Sequence, residues 1–358
     1  MAQIKSLTFN DPLLQNTLWT GRLQTENGEK VAILQAIHEG AEKQFVFELK
    51  ELNQIALPHF FKRFLIAIRV FSLTATATPG LVVLGAGIIF EKKQADFPIF
   101  FASLLSVIFL QISVNVLNDV EDHVKGIDRP GDIGGSGVIQ KAWFSAQSVS
   151  RMGAASFFVA CVLGIIPLLH YPKELLVIGV LALLGGMGYS GFGIGLKYRA
   201  LGDLSVFLLC GPLLCMGFSI ATFGILSPLI LITGSIFGLA SVAILHANNL
   251  NDLEIDAERG AKTVANQIGF KWSQKYLALI YLGLYLICMI SALLMPKSAV
   301  FLMAPILVLP IVIKMLQKVK TASGPLSPAL ALIRFDAAKI HLLIGFSWLL
   351  VFLVKIIF

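Results

Sequence analysis

From residue 64 to its end the chain alternates between long apolar runs and short polar connections. The runs carry no polar stripe at helical period, and each approaches the about 20 residues that a helix needs to cross a bilayer. In hydrocarbon every backbone N–H and C=O must find its partner within the segment, so such runs are read as helices. They fall at roughly 67–90, 97–118, 147–169, 174–192, 202–223, 227–249, 274–294, 298–316 and 338–357, nine spans that leave the two ends of the chain on opposite sides. Pro58, followed by His59, Lys62 and Arg63, marks the entry to the first span. Pro167, Pro212, Pro305 and Pro310 lie inside spans, where neighbouring helices tolerate kinks.

Residues 1–60 break this pattern. They hold seven acids and mix polar with apolar positions. Asn27-Gly28, set between WTGRLQTE and EKVAILQAI, is a hairpin signal. Gln44–Leu49 (QFVFEL) reads as a third strand. The expectation is a small, partly β cytoplasmic appendage at 1–60, too short for a large core of its own, followed by a membrane domain at 61–358.

Composition supports an all-α polytopic membrane protein. The chain is 56% hydrophobic and 14% charged, with a mean hydropathy of +0.82. A net charge of +7 fits basic loops on one membrane face and gives no reason to expect nucleic acid. Cys161, Cys210, Cys215 and Cys288 all fall within spans and none forms a Cys-x-x-Cys pair, so they are expected to pack, without disulfide or zinc. The N-terminus lacks a basic segment followed by an apolar run, so no cleavable signal is expected.

Orientation follows from Lys and Arg. With the N-terminus placed in the cytoplasm, the inner connections beyond residue 60 hold 18 basic residues and the outer ones five. The positive-inside rule therefore favours that topology.

Against this background the acids are concentrated. Of 14 acids beyond residue 60, nine lie in two stretches, Asn115–Gln140 (NVLNDVEDHVKGIDRPGDIGGSGVIQ) and His246–Gly269 (HANNLNDLEIDAERGAKTVANQIG), and each stretch closes an apolar run. Asn115, Asn118, Asp119 and Asp122 sit at offsets that line one helix face. Asn249, Asp252 and Asp256 form a second stripe with Asn248 beside it. Two facing carboxylate sets repel unless cations lie between them. Hard oxygen donors suit Mg²⁺, which takes one or two carboxylates and completes its shell with water and phosphate. Lys125, Arg129, Arg259 and Lys262 follow the acids and can neutralise a phosphate tail. Two solvated loops between helices are the plainer alternative; the repetition of the pattern at two span ends favours the metal and phosphate reading.

A third polar stretch, YSGFGIGLKYRALGDLSVFLLCGP (Tyr189–Pro212), falls between them on the same side. Lys197, Tyr198 and Arg199 lie in the connection and Asp203 opens the next span. An ordinary basic loop with a first-turn acid explains these residues as well as a substrate-facing role does. His123 and His246 abut the acidic stretches without zinc spacing and are read as packing or loop-contact residues. Gly134-Gly135-Ser136-Gly137 lacks the Gly-Lys-Ser/Thr of a P-loop and is read as a connection. Gly185, Gly186, Gly188 and Gly191 permit close helix approach.

These motifs in this order resemble the UbiA superfamily of intramembrane prenyltransferases: Asn118-x-x-x-Asp122 followed by Lys125-Gly126-Ile127-Asp128, then LKYRALGD with Gly211-Pro212, then NNLNDLEID with Gly260 and Lys262-Thr263. The likeness runs from about residue 64 to the end and is nearest the branch that prenylates 1,4-dihydroxy-2-naphthoate in menaquinone synthesis. It implies nine helices around a central cavity open to lipid. It also implies Mg²⁺ held by Asn118, Asp122 and Asp128, with Asp119 as a further metal ligand of that set, and by Asn249, Asp252 and Asp256, with Asn115 and Asn248 as diphosphate contacts. The general superfamily pattern has an aspartate where this chain has Gly126. Here Asp128 takes that place, as in the naphthoate branch. Asn251 stands where the branch often has Arg, and Val70 follows Arg69 where relatives often have proline. Arg69 is a candidate contact for the aromatic substrate.

The expected chemistry is Mg²⁺-dependent ionisation of an allylic polyprenyl diphosphate and transfer of the prenyl group to a hydroxylated aromatic ring, within the bilayer. Lys125, Arg129, Lys197, Arg259 and Lys262 are expected to share the diphosphate charge. Tyr198, Asp203 or Lys197 would orient or deprotonate the acceptor. With the naphthoate acceptor, CO₂ and pyrophosphate leave. Acceptors such as hydroxybenzoate or homogentisate are the near alternative. A transporter of an anionic substrate is the distant one, disfavoured because the charges sit at span ends and the two motifs are not inverted repeats.

Overall fold

A computed structural model describes residues 3–26, 28–38, 42–128, 135–190 and 195–358. The chain begins with a compact module: β1 (Gln3–Thr8), α1 (Pro12–Thr20), β2 (Arg22–Thr25), β3 (Gly28–His38) and β4 (Gln44–Lys50). Its sheet is antiparallel in the order β1-β4-β3-β2. The expected hairpin is the β2–β3 pair, closed by Thr25 opposite Gly28, and the expected third strand is β4. Asn27 itself lies outside the described residues. β1 and α1 were not anticipated. β1 gains its place only by pairing with β4 some forty residues on. α1 is fixed by Asp11, whose side chain accepts from the Leu13 N–H, by Pro12 in the first turn, and by Gly21 in the left-handed conformation at its end. Leu7, Leu14, Leu18, Leu23, Phe45 and Phe47 form the module's own core.

Next come α2 (Phe60–Ala67), α3 (Thr74–Ile89), α4 (Phe97–Val124), α5 (Ala146–His170), α6 (Pro172–Ser190), α7 (Gly202–Leu209), α8 (Pro212–Phe223), α9 (Pro228–Asn251), α10 (Leu253–Glu258), α11 (Val264–Ile268), α12 (Phe270–Leu294), α13 (Ala299–Met303), α14 (Leu309–Thr321) and α15 (Ile333–Ile357). Among the described residues nine helical stretches are long and apolar enough to cross a membrane. They match the nine runs read from the sequence.

Two of the nine are interrupted near their middle. The fifth breaks into α7 and α8 at Gly211, where Pro212 starts the second half. A side chain at Gly211 would place its Cβ 2.5 Å from the Phe207 carbonyl oxygen and 2.6 Å from the backbone of Gly234 and Gly238. The break therefore lets two backbones touch. The eighth, Pro296–Thr321, is α13 and α14 joined by a 3₁₀ segment at Pro305, with Pro310 opening the last part.

The chain divides into two compact units: residues 1–71 with 109–159, and residues 72–108 with 160–358. In the second, α9 is the most enclosed span. It buries Phe237, Ala240, Ala243, Ala247 and Leu250, and shares a core with Leu277, Tyr281 and Leu284 of α12 and with Ile340, Ile344 and Trp348 of α15. The Trp348 indole N–H donates to the Phe301 carbonyl at 2.8 Å, which satisfies its one polar atom. The four cysteines are free thiols.

Candidate active site

In the first unit the acidic residues sit on the last turns of α4, which runs six residues past the expected end of its span. Asn115, Asn118, Asp119, Asp122 and Asp128 are all nine-tenths or more buried. The helix ends in a Schellman motif. Gly126 takes a φ of +71°; its N–H donates to the His123 carbonyl at 3.0 Å and the Ile127 N–H to the Asp122 carbonyl at 2.8 Å. The Asp128 N–H donates to the same carbonyl at 3.2 Å. Chain reversal at Gly126 is thus why Asp128, six positions on, returns to the backbone of Asp122.

The side chains form a network. Asn118 Nδ2 donates to Asp122 Oδ2 at 3.0 Å, while Asn118 Oδ1 is buried with no hydrogen-bond partner. Asn115 Nδ2 donates to the Ile68 carbonyl at 3.2 Å, and Gln111 donates to Asn115 at 3.0 Å. Asp119 has both oxygens engaged. One forms an ion pair with the Arg69 guanidinium; the other accepts from the Ser136 N–H at 3.2 Å. Burial alone pulls the Arg69 pKa down, but the carboxylates of Asp119, Asp128 and Asp122 overturn this and hold it above its ordinary value. Lys125 pairs with Glu121 at 2.8 Å. Arg129 lies outside the described residues, as do Asp132 and Gly134.

In the second unit Asn248 and Asn249 occupy the last turn of α9, and Asp252 stands at its end. The expected continuous stripe is bent there, since Asp252 takes φ −91° and ψ 8° before α10 resumes. Asn248 Nδ2 donates to Asp252 Oδ2 at 2.9 Å, and Arg334 donates to Asn248 Oδ1 at 3.2 Å. Asn251 is turned away, its amide donating to the Leu330 carbonyl at 3.0 Å. α10 ends as α4 does: Gly260 has a φ of +75°, its N–H donates to the Ala257 carbonyl at 3.2 Å and the Ala261 N–H to the Asp256 carbonyl at 2.9 Å.

The third polar stretch joins this set. The Ala200 N–H donates to the Lys262 carbonyl at 2.7 Å and the Lys262 N–H to the Tyr198 carbonyl at 3.2 Å. Arg199 and Lys262 form an isolated parallel bridge. Lys197, Tyr198, Arg199, Arg259 and Lys262 thus belong to one connected pair of segments. The Lys197 ammonium lies 5.4 Å from the centre of the Tyr198 ring. Asp203 is buried in the first turn of α7, hydrogen-bonded to Tyr276 and 3.7 Å from His246 Nδ1. His246 Nε2 reaches the Ser273 carbonyl at 3.1 Å, and that of His123 the Leu18 carbonyl at 3.2 Å.

Residues not assigned to the site from the sequence complete the picture. Ser136 supplies an N–H to Asp119. A Cβ at Gly135 would fall 2.4 Å from Asp128 Oδ2 and 3.3 Å from Asp119 Oδ1, so this glycine lets the loop lie on the acids. Arg334 fixes Asn248. The Gly-Gly-Ser-Gly run was the only trace of the first two in the sequence.

Among the described residues no three His, Cys, Asp or Glu side chains converge as a ready metal cage. What the chain offers is pairs of amide and carboxylate oxygens, with one amide oxygen buried and unmatched. That donor set fits Mg²⁺, which binds through few protein oxygens and keeps waters and phosphate oxygens in its shell.

Residues 75–352 match the model of the UbiA prenyltransferase family. UbiA prenyltransferase domain-containing protein 1 of Gallus gallus is 29% identical over 292 residues, covering 79% of this chain and 82% of the relative. The 1,4-dihydroxy-2-naphthoate octaprenyltransferase of Escherichia coli is 27% identical over 214 residues, covering 58% and 69%. A solved structure of a UbiA homolog from Archaeoglobus fulgidus, bound to GPP and Mg²⁺, aligns with a TM-score of 0.57 at 15% identity, over 80% of this chain and 99% of that one; it shares the fold. With nine helical stretches among the described residues long and apolar enough to cross a membrane, and a family match over most of its length, this chain belongs to the UbiA prenyltransferase family and is a multi-pass membrane prenyltransferase.

Proposed function

We propose that the protein transfers a polyprenyl group from an allylic diphosphate to a hydroxylated aromatic ring, with 1,4-dihydroxy-2-naphthoate as acceptor, in menaquinone synthesis. The observation that carries this reading is the unmatched Asn118 Oδ1, buried beside the Asp122 carboxylate at the end of an apolar span. An amide oxygen so placed needs a cation or a donor to offset its burial. Relatives named as 1,4-dihydroxy-2-naphthoate octaprenyltransferases in Escherichia coli and Bacillus subtilis support the acceptor. Fold relatives solved with GPP or DMAPP and Mg²⁺ support the donor and the metal.

In this reading Asn118, Asp122 and Asp128 hold one Mg²⁺, and Asn249, Asp252 and Asp256 another. Bound Mg²⁺ supplies positive charge where negative charge grows on the leaving diphosphate. Lys125, Arg129, Lys197, Arg259 and Lys262 share that charge. Asp119 keeps Arg69 charged and in place next to the first set. The allylic C–O bond breaks with its electron pair passing to pyrophosphate. The apolar walls of the spans keep water from the allylic cation. The electron-rich ring carbon bearing the carboxylate forms the new C–C bond, and loss of CO₂ returns the ring to aromaticity. In this reading Tyr198 and Lys197 orient the acceptor hydroxyls, and Asp203, buried against His246 and Tyr276, acts by fixing the start of α7.

The excess of Lys and Arg on one set of connections supports a cytoplasmic N-terminus and cytoplasmic acidic stretches, in this reading at a bacterial-type inner membrane. Purified protein in lipid, given a labelled allylic diphosphate and a panel of 1,4-dihydroxy-2-naphthoate, hydroxybenzoate and homogentisate, tests the assignment. The naphthoate should be prenylated with release of one CO₂ and one pyrophosphate per turnover. Faster transfer to another acceptor, or transfer that keeps the carboxylate, contradicts it.

A further inference from the structure

The family match begins at residue 75, so the N-terminal β module stands outside it. Two contacts of that module fall on the turn that ends α4. Leu18 is in the last turn of α1, where helix carbonyls lack partners within the helix. Its carbonyl is within 3.2 Å of His123 Nε2, and because a carbonyl only accepts, that nitrogen carries the proton. Both residues are buried. Ile37 of β3 packs on Gly126: a Cβ there would lie 2.0 Å from Ile37 Cδ1.

His123 and Gly126 are two members of one Schellman turn. Its first carbonyl belongs to Asp122, and its exit leads to Asp128. The module therefore touches, at two residues, the turn that sets the spacing of the two acids. At the matching turn of α10, by contrast, nothing among the described residues lies within 4 Å of the place a Cβ would take at Gly260.

We propose that the N-terminal module is a positioning element of the active site, with His123, Leu18 and Ile37 holding the Asp122–Asp128 turn in its binding geometry. What the acids bind rests on the function proposed above; the support itself does not. A preset turn need not be ordered when substrate arrives, so its gain is in affinity for the diphosphate and the divalent ion.

The test uses the full chain in lipid, with His123→Ala, His123→Gln and Ile37→Val. The last removes the methyl that rests on Gly126 and little else. Hydrogen exchange of the Gly126, Ile127 and Asp128 amides is read beside KM for the allylic diphosphate, the Mg²⁺ concentration for half activity, and kcat. His123→Ala should speed exchange at these three amides and raise KM and the Mg²⁺ requirement by about fivefold, the size of one lost buried hydrogen bond. Protection in β3 and β4, and kcat at saturation, should stay as in the unsubstituted protein. Ile37→Val should move the same quantities by less, and His123→Gln, which keeps a donor, should restore them. Unchanged exchange at the three amides in both His123→Ala and Ile37→Val overturns the proposal, and so does a fall in kcat alone. Asp122→Ala is the separate control: if it leaves transfer intact the functional reading falls, and exchange at the turn alone then decides the support.

Discussion

Asp122 and Asp256 occupy the same place in two separate helix ends. Each carbonyl accepts the N–H of the residue five positions on, each is followed four positions later by a left-handed glycine, and the residue before that glycine is basic, Lys125 or Arg259. The cation sits where the carbonyl end of the helix dipole favours it. Each end delivers an acid, a base and a sharp turn from one short segment.

The glycines of these two turns should differ in what they tolerate. Gly260→Ala meets only the backbone penalty of a left-handed residue, about 1–2 kcal/mol. Gly126→Ala meets the same penalty and also displaces Ile37. Thermal unfolding in a mild detergent should rank Gly126→Ala below Gly260→Ala; equal loss would show that Ile37 yields freely.

Arg69 and Asp119 should prove coupled. Arg69 holds a φ of 52°, a left-handed conformation costly to a residue with a Cβ, and its guanidinium pairs with Asp119. Removing one partner leaves the other charge buried, a loss of about 3–5 kcal/mol by general experience with buried pairs. Arg69→Gln should therefore destabilise strongly, and Arg69→Gln with Asp119→Asn should be less damaging than the sum of the two. Additivity in unfolding free energies would mean that the pair is not an energetic unit.

Asn248 should act on the metal through Asp252. Its amide holds that carboxylate, and Arg334 in turn holds Asn248. Loss of such a supporting group costs about 10–100-fold in metal affinity. Asn248→Ala should raise the Mg²⁺ requirement within that range. Arg334→Lys should show the same trend more weakly, because an ammonium lacks the guanidinium fork. A Mg²⁺ titration of activity checks both; a change in kcat with an unmoved Mg²⁺ midpoint would contradict the relay.

Gly211→Ala should fail to fold well. The added Cβ meets backbone atoms of α7 and α9, which cannot rotate aside. Overpacking costs about 1–3 kcal/mol where side chains can adjust, and the loss here should be larger. The yield of monodisperse protein measures it, with Gly217→Ala as the tolerated comparison, since its nearest contact is an ordinary 3.5 Å.

The spans were legible because an all-round apolar run has few other uses, and the β2–β3 hairpin because Asn-Gly encodes its turn. The acidic faces were legible because acids are costly beside hydrocarbon. What stayed hidden depends on partners distant in sequence. β1 finds its edge on β4, Arg69 finds Asp119 fifty positions on, and Tyr198 meets Lys262 through the backbone. Local pattern could not show that Asp119 would be tied to a guanidinium and a loop N–H, or that Asp252 would sit at a bend. His123 carried no metal spacing, and its partner, the Leu18 carbonyl, leaves no mark in a sequence.

The central claim is that both acid sets serve one Mg²⁺-dependent departure of diphosphate. It is tested most directly by pyrophosphate release from a labelled allylic diphosphate in proteoliposomes with acceptor present, comparing the unsubstituted protein with Asp122→Ala and Asp252→Ala. Release should require Mg²⁺, stop with EDTA, and fall to background in either variant while both remain folded. Release that persists in EDTA, or that survives either substitution unchanged, would contradict the account.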